Sequence, residues 1–297
     1  MWLGINAGFG EPLGPAFDFI ESVGFHFVRQ EFQPDANDRQ LASLLSEFVG
    51  RRTKLLALLG GGTNRTPAGG RIEPQVFASL GARVVHVAAA LGVDPIIEIG
   101  NEPDIGHAGY ASRPADFAAA LSLTHAAMRQ DGFRGAVVSG GISNLSRERL
   151  DYLAAVVRAG IPPDLILGFH RYPHGLSAQV PHPGFADRDA EWNRLLDIAG
   201  SRDVACTEVG HHTAPRGSRR LAIFRRRHRL TADEAARDLM FDLEFFRDRG
   251  ALMTAIYQLN DGSGDRPVDR YGIRDAAGQP KAVVAEIRRF IQTRSMP

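Results

Sequence analysis

Short apolar runs alternate along the chain with longer segments whose apolar residues recur at helical spacing. Runs of this kind, rich in Val, Ile, Leu and Phe, are typical of buried strands. We predict eight strands, near Trp2–Ala7, Phe25–Glu31, Lys54–Leu59, Pro95–Gly100, Gly135–Ser139, Leu165–His170, Asp203–Glu208 and Ala251–Gln258. A segment long enough for a helix follows each of them, so the chain repeats one β-then-α unit.

The segments between the strands show helical patterns. Thr231 and Glu234 form a capping box, in which each side chain satisfies a backbone N–H at the start of a helix. Gly250 stands where a glycine commonly ends such a helix. We predict helices over Ala36–Arg51, Pro74–Leu91, Pro114–Gln130, Ser146–Ala159, Thr231–Arg249 and Ala282–Thr293.

Repeated β-then-α units indicate a parallel sheet with helical crossovers, and eight of them close most naturally into a (β/α)8 TIM barrel. The 297 residues suit this α/β fold, since such a barrel commonly needs about 250 residues. We therefore predict a single catalytic domain over residues 1–297. An open doubly wound sheet is the alternative, although no Gly-x-Gly-x-x-Gly follows the first strand.

Composition narrows the picture in a few respects. The formal net charge of +1 argues neither for nor against an anionic partner, and we recognise no nucleic-acid-binding module. The single cysteine, Cys206, excludes an intramolecular disulfide. No segment approaches ~20 uninterrupted apolar residues, so we expect no membrane span. The start of the chain shows no signal-peptide pattern, and we expect a cytoplasmic location.

Polar residues gather where the predicted strands end. In such barrels the catalytic groups lie at the carboxyl ends of the strands, which meet at one face. The strand ends carry Arg29, Glu31, Asn101, Glu102, Asp104, His170, Tyr172, His174, Glu208, His211, His212, Gln258, Asn260 and Asp261. The strands before them are largely apolar, so we expect one polar rim.

Two carboxylates of this rim, Glu102 and Glu208, can divide the work of cleaving a glycosidic bond. One carboxyl group donates a proton to the leaving oxygen, while the other stays ionised and attacks or stabilises the cationic transition state. The strand order puts both at the same face. Glu98 shares the strand parity of Glu102, so we expect it to point into the barrel and to pair with Arg29.

The segment Ile99-Gly100-Asn101-Glu102-Pro103, at the end of the fourth strand, resembles the acid/base signature of the retaining (β/α)8 glycoside hydrolases of clan A. This superfamily includes cellulase-like and xylosidase-like enzymes. Thr207-Glu208-Val209-Gly210 ends the seventh strand, where the clan carries its nucleophile, and His170-Arg171-Tyr172 resembles its His-x-Tyr. Unlike many members, this chain has no tryptophan after the eighth strand.

The resemblance implies a role for each matching residue. Glu102 would be the general acid/base and Glu208 the nucleophile, with the carboxyl groups about 5–5.5 Å apart and the configuration retained. Asn101 would bind the sugar 2-hydroxyl and Tyr172 would hydrogen-bond the nucleophile. The substrate would be a β-linked oligo- or polysaccharide. We place Arg29, Asn101, His170, Tyr172, His211, Gln258 and Asn260 among the substrate-binding residues.

Three alternatives stay open. A non-catalytic carbohydrate-binding barrel or a transglycosylase could carry the same residues. The histidines of the rim could indicate a metal hydrolase, but those barrels usually carry His-x-His after the first strand, where this chain has Asn6-Ala7-Gly8-Phe9. We therefore predict no metal and no cofactor. The Arg-rich stretch Arg216–Arg229 is either a solvated loop or a surface for an anionic polysaccharide or another anionic partner.

Overall fold

The computed structural model describes residues 1–7, 13–60, 72–106, 109–172, 187–213, 230–264 and 269–293. Within them, eight strands alternate with eight helices. The strands are β1 Trp2–Asn6, β2 Phe27–Phe32, β3 Lys54–Leu59, β4 Ile96–Ile99, β5 Val137–Ser139, β6 Leu167–Arg171, β7 Val204–Val209 and β8 Met253–Ile256. The helices are α1 Ala16–Val23, α2 Asp38–Ser46, α3 Pro74–Leu91, α4 Pro114–Gln130, α5 Arg147–Arg158, α6 Arg188–Ala199, α7 Ala232–Asp248 and α8 Val283–Gln292.

The strands form one parallel sheet in the order β5-β4-β3-β2-β1-β8-β7-β6. β1 pairs with both β2 and β8, so the first and last strands are neighbours. A parallel bridge between Val138 and Ile166 joins the two ends of the order. The sheet is therefore a nearly closed (β/α)8 barrel. The predicted fold is confirmed, and the open doubly wound alternative is wrong.

Residues of β2 show how the barrel sorts its side chains. Phe27 belongs to the apolar cluster inside the barrel, with Leu56 and Ile96 from the next two strands. Val28 and Phe32 belong to the larger core that packs the helices against the outside of the sheet. Successive side chains of a strand point to opposite faces. Arg29 and Glu31 therefore follow Phe27 on the inner face, above the apolar floor.

Helix starts follow the local sequence. The predicted capping box of α7 is confirmed: Thr231 Oγ1 accepts from Glu234 N at 3.2 Å, and Glu234 Oε2 accepts from Thr231 N at 2.7 Å. Asn37 and Gln40 make the same exchange at the start of α2. These bonds satisfy N–H groups that have no partner within the helix. The α2 helix ends at Ser46, earlier than its pattern of leucines suggested.

Helix α3 is long and apolar enough, by length and composition alone, to cross a membrane. Core helices of soluble proteins pass the same test. In the barrel, Phe77, Leu80 and Val84 of this helix are buried, and the helix lies against α4 and β3. The expectation that the protein has no membrane partner stays a prediction.

Candidate active site

The backbone at Glu102 adopts an uncommon conformation. Its φ angle is 41°, in the left-handed region that disfavours residues other than glycine. The Glu102 N–H donates to Gly141 O at 2.9 Å, and Glu102 O accepts from Ile105 N at 3.2 Å. Such strained residues are found preferentially at functional sites, where the surrounding structure holds them. The turn after β4 thus fixes the direction of the Glu102 side chain.

Asp104 helps to hold the turn after β4 in place. Its carboxylate accepts from Ser143 N at 2.9 Å and from Ser143 Oγ at 2.6 Å, which ties the turn to the segment after β5. Arg149 Nε lies 3.3 Å from Asp104 Oδ2. Burial raises the pKa of Asp104 and outweighs the hydrogen bonds from Ser143 and the charge of Arg149. Asp104 is therefore a structural part of the rim.

An irregularity in β7 brings two consecutive side chains to the same face. Regular alternation would put Thr207 and Glu208 on opposite faces. The register shifts between Cys206 and Val209, and both side chains reach the barrel interior. Thr207 Oγ1 lies 3.2 Å from His170 Nε2. Glu208 points toward the charged centre of the barrel, where it contacts Arg29. Bulges that re-aim a side chain are common next to active sites.

Arg29 is the cation at that centre, and its five N–H donors are all used. Nε and Nη2 donate to Glu98 at 2.5 and 3.1 Å, Nη1 donates to Asn6 at 2.9 Å and to Glu208 at 2.6 Å, and Nη2 also donates to Asn101 at 2.8 Å. The predicted pairing with Glu98 is confirmed. In this arrangement its guanidinium has no donor left for a sugar hydroxyl, and the expectation that Arg29 binds substrate stays a prediction.

The charges of the neighbouring carboxylates keep the Arg29 guanidinium ionised. Burial by itself lowers the pKa of Arg29, but the charges of Glu98 and Glu208 outweigh it and raise the pKa well above its ordinary value. Asn6 accepts from this guanidinium through its side-chain oxygen. Its amino group donates to Thr207 O at 3.2 Å and to Ile256 O at 3.3 Å, which holds the Asn6 side chain in place. Arg29 is thus a fixed, permanently charged support for Glu208.

Glu208 has a donor on each carboxylate oxygen. Oε1 accepts from Arg29 Nη1 at 2.6 Å, and Oε2 accepts a short hydrogen bond from the Tyr172 hydroxyl. Burial, together with the charge of Glu208, raises the pKa of Tyr172 far above its usual range, so the phenol keeps its proton and donates it. The contact between Tyr172 and Glu208 is the one that the resemblance implied. The carboxylate is held in one orientation.

His170 joins the two glutamates. Its Nδ1 lies 3.0 Å from Glu102 Oε1 and 3.7 Å from Glu208 Oε2, and Nε2 faces Thr207. Burial lowers the pKa of this imidazole, but the charges of Glu208 and Glu102 outweigh burial and raise it. Both ring nitrogens are engaged and the side chain is 0% exposed. The expectation that His170 contacts the sugar stays a prediction.

The same three groups are the candidate metal ligands among the described residues. Glu102, His170 and Glu208 each offer one ligand atom, and these atoms lie within 4.8 Å of one another. However, Arg29 and Tyr172 already donate to Glu208. The neighbouring carboxylates also favour the protonated imidazole, which cannot bind a metal. The donor set thus fits a proton-linked network better than a metal centre, and the absence of a metal stays a prediction.

Three tyrosines form a wall beside Glu208. The ring centroids of Tyr172, Tyr257 and Tyr271 lie 5.4 to 5.8 Å apart in each pair. Burial and the charge of Glu208 raise the pKa of Tyr271 to about 12, and the same causes raise the pKa of Tyr257. Neither Tyr257 nor Tyr271 is among the predicted site residues. Tyr257 follows β8 directly, so its place at a strand end was the signal that could have identified it.

Comparisons with known proteins bear on this barrel and its site. No family model and no curated protein matches the sequence. Solved structures do match. An exo-β-1,4-mannosidase from Opitutaceae bacterium strain TAV5 has 17% identity and a TM-score of 0.69, covering 99% of this chain and 59% of the mannosidase. The GH39 enzyme from Xanthomonas axonopodis pv. citri has 14% identity and a TM-score of 0.69, covering 97% of this chain and 65% of that enzyme.

A third match, a β-1,3-glucanosyltransferase from Rhizomucor miehei, has 14% identity and a TM-score of 0.61, and the match covers 95% of this chain and 96% of that one. The chain shares the barrel fold of solved glycoside hydrolases. At these identities the likeness concerns the fold. The chain spans less than two thirds of the length of the mannosidase and of the GH39 enzyme.

The remaining residues of the predicted rim have different positions in the barrel. The peptide bond between Tyr257 and Gln258 is cis. The Gln258 backbone donates to Tyr271 O at 3.2 Å and accepts from Ile273 N at 2.9 Å. The Gln258 side chain is half-buried and Asn260 is exposed. Their contacts with a sugar stay predictions.

His211 lies outside the cluster of Glu102, His170 and Glu208. Its Nε2 donates to Asp242 Oδ2 of α7 at 2.7 Å, and its side chain is 1% exposed. Burial and the guanidinium charges of Arg171 and Arg188 lower the pKa of His211 to about 3, so the ring is neutral at neutral pH. The ring is buried and bonded to a helix, and the expectation that His211 binds substrate stays a prediction. The stretch Arg216–Arg229 and His174 lie outside the described residues.

Proposed function

We propose that this chain is a retaining glycoside hydrolase that cleaves β-glycosidic bonds of an oligo- or polysaccharide, with Glu102 as acid/base and Glu208 as nucleophile. One observation carries the proposal. Carboxylate oxygens of Glu102 and Glu208 lie within 4.8 Å of each other at the carboxyl ends of the strands. Retaining enzymes place their carboxyl groups about 5–5.5 Å apart, whereas inverting enzymes need room for a water molecule between them.

In the first step, Glu208 attacks the anomeric carbon and forms an ester bond to it. The bond between that carbon and the glycosidic oxygen breaks, and the oxygen takes the proton of Glu102. Arg29 and Tyr172 hold the attacking carboxylate in place. His170 contacts Oε1 of Glu102, so we assign the transferred proton to Oε2.

In the second step, Glu102 acts as a base and takes a proton from water, whose oxygen attacks the same carbon. The ester bond to Glu208 breaks, and two inversions leave the configuration unchanged. Asn101 accepts from Arg29 Nη2 through its carbonyl oxygen at 2.8 Å. That bond orients the amide and supports the proposed contact between its amino group and the sugar 2-hydroxyl.

Two matched structures support this choice of reaction through their own names, one an exo-β-1,4-mannosidase and the other a GH39 enzyme. The match to a glucanosyltransferase supports a second candidate, transglycosylation. In that reaction a sugar hydroxyl replaces water in the second step, with the same covalent intermediate.

The test compares the unaltered protein with Glu208→Ala and Glu102→Ala on aryl β-glycosides and polysaccharides. Glu148→Gln is the control, because its side chain is exposed on α5. We expect Glu208→Ala to abolish turnover and Glu102→Ala to lower kcat by about 10²–10⁴-fold. Azide should rescue Glu102→Ala and give a glycosyl azide of retained configuration, since azide needs no base.

Several outcomes would contradict the proposal. Undiminished turnover in Glu208→Ala would show that Glu208 is not the nucleophile. An azide product of inverted configuration would rule out the covalent intermediate. Loss of activity with a chelator, restored by a divalent cation, would favour the metal site. Longer saccharides among the products would indicate transglycosylation. Saccharide binding without turnover would indicate a non-catalytic barrel.

A further inference from the structure

Glu31 is a third carboxylate at the mouth of the barrel, and the two-glutamate mechanism does not use it. It follows Phe27 and Arg29 on the inner face of β2, because alternate residues of a strand share a face. Phe27 lies in the apolar floor of the barrel, and Arg29 lies one layer higher, against Glu208. Glu31 therefore occupies the layer above Arg29, toward the carboxyl end of β2.

The Glu31 carboxylate lies near Arg29 and near Tyr257 of the tyrosine wall. It is near enough to Arg29 and to Tyr257 to contribute to the raised pKa of each. Gln33 Nε2 donates to Glu31 Oε2 at 3.2 Å and orients the carboxylate. The residue is 9% exposed. Glu31 is thus held in position at the side of the cleft.

The charge balance of the described cleft is negative. Glu31, Glu98 and Glu208 face two groups that can be cationic, Arg29 and His170, while Glu102 carries the proton that it donates in the proposed first step. All five donors of Arg29 go to Glu98, Asn6, Glu208 and Asn101. Within the described residues, neither cation offers a hydrogen-bond donor to a carboxylate on the substrate, because both nitrogens of His170 are also engaged.

We propose that Glu31 is a substrate-binding residue whose carboxylate accepts hydrogen bonds from hydroxyl groups of a neutral sugar and excludes uronic acids. The inference rests on the proposed function and narrows its substrate class. An ionised carboxylate accepts hydrogen bonds and donates none, so it pairs well with sugar hydroxyls. It repels a second carboxylate, and this repulsion is stronger in a partly buried cleft than in water.

The experiment uses the aryl β-glycoside that the unaltered protein cleaves best and the matching uronide, which differs only by a carboxylate in place of the hydroxymethyl group. kcat and KM are measured for both substrates. Glu31→Gln removes the charge at nearly constant shape, Glu31→Asp keeps the charge on a shorter side chain, and Glu148→Gln is the surface control. Thermal unfolding of each variant checks that it is folded.

We expect the unaltered protein to prefer the neutral substrate by about 100-fold or more in kcat/KM. Glu31→Gln should reduce that preference at least 10-fold and raise KM for the neutral substrate more than it lowers kcat. Glu31→Asp should keep the preference for the neutral substrate over the uronide while kcat/KM falls. This variant also decides the test if Glu31→Gln does not fold. Glu148→Gln should change neither parameter.

Two results would overturn the inference and leave the proposed function intact: equal turnover of the neutral substrate and the uronide by the unaltered protein, or an unchanged preference and KM in Glu31→Gln. Loss of the preference in Glu31→Asp would also contradict it, since the charge is still present. If the unaltered protein cleaves no glycoside of either kind, the proposed function fails and this inference fails with it.

Discussion

At the residue scale, Arg29 connects most of the site. It is 4% exposed and donates to two carboxylates and two amides that come from three other strands or strand ends. A buried charge is costly without a partner, so each of these groups depends on the others. Strand parity pointed Glu98 into the barrel, and Arg29 was the expected partner of its buried charge. Parity could not show that the same guanidinium also holds Glu208 and Asn101.

Replacing Arg29 tests this dependence. We expect Arg29→Met to lower the free energy of unfolding by about 3–5 kcal/mol, because it leaves Glu98 buried without its cation. The double variant Arg29→Met/Glu98→Gln should be more stable than the single one, since the uncompensated charge is gone. Urea unfolding measures both.

Arg51→Met is the matched control for this experiment. Arg51 pairs with Asp18 and Glu21 at the surface, and exposed pairs of this kind contribute about 0–1 kcal/mol. Equal destabilisation in Arg29→Met and Arg51→Met would show that Arg29 does not carry the buried network. A double variant less stable than Arg29→Met would contradict the charge argument.

At the element scale, strand ends and the segments that follow them decide where the proposed catalytic groups point. The turn after β4 contains a left-handed residue, Glu102, and β7 contains a bulge that turns both Thr207 and Glu208 inward. The segment after β5 supports both, because Gly140 and Gly141 let the chain pass close to its neighbours. A Cβ atom on Gly141 would lie 2.4 Å from His170 Cδ2 and 2.7 Å from Thr207 Oγ1.

Gly141→Ala should therefore move His170. We expect the unfolding free energy to fall by about 1–3 kcal/mol through overpacking. We also expect kcat to fall by about 10-fold or more, since small displacements of catalytic groups are costly. Gly106→Ala is the control, because a Cβ atom there would have no neighbour within 4 Å. Full activity in Gly141→Ala would show that the position of His170 is unimportant for the reaction.

At the scale of the whole molecule, closure of the barrel is uneven. β2 and β3 pair over six positions, whereas β5 has three residues and meets the strand beyond it through isolated bridges. Local opening starts where few hydrogen bonds and contacts must break. The seam between β5 and β6 is accordingly the weakest join among the described strands.

Amide hydrogen exchange measures this difference. Peptides that cover Val137–Ser139 should exchange at least about 10-fold faster than peptides that cover Phe27–Phe32, because their protecting bonds are fewer. A saccharide bound in the cleft should slow exchange at the seam, since the turn of Glu102 bonds to Gly141 beyond β5. Uniform exchange around the ring would contradict a weak seam.

The boundaries of the strands show how far a pattern of apolar residues reaches. Phe25 and Leu165 are buried, and both were placed in strands, but each lies in the approach to its strand. The prediction began too early there, because burial extends beyond the hydrogen-bonded ladder. At β8 it ended too late, since the Gln258 N–H donates to Tyr271 rather than to a neighbouring strand.

The sequence by itself determined the repeat of strands and helices, and with it the barrel and the face where polar residues gather. Those features depend on the spacing of apolar residues, on helix capping and on which residues end the strands, and all three can be read from short stretches of sequence. Only the tertiary structure decided which rim residues meet. Arg29 and His170 turn inward to hold Glu102 and Glu208, His211 turns away toward α7, and tyrosines from distant segments complete the wall. These contacts follow from ring closure, the β7 bulge and the turn at Glu102, which no local pattern encodes.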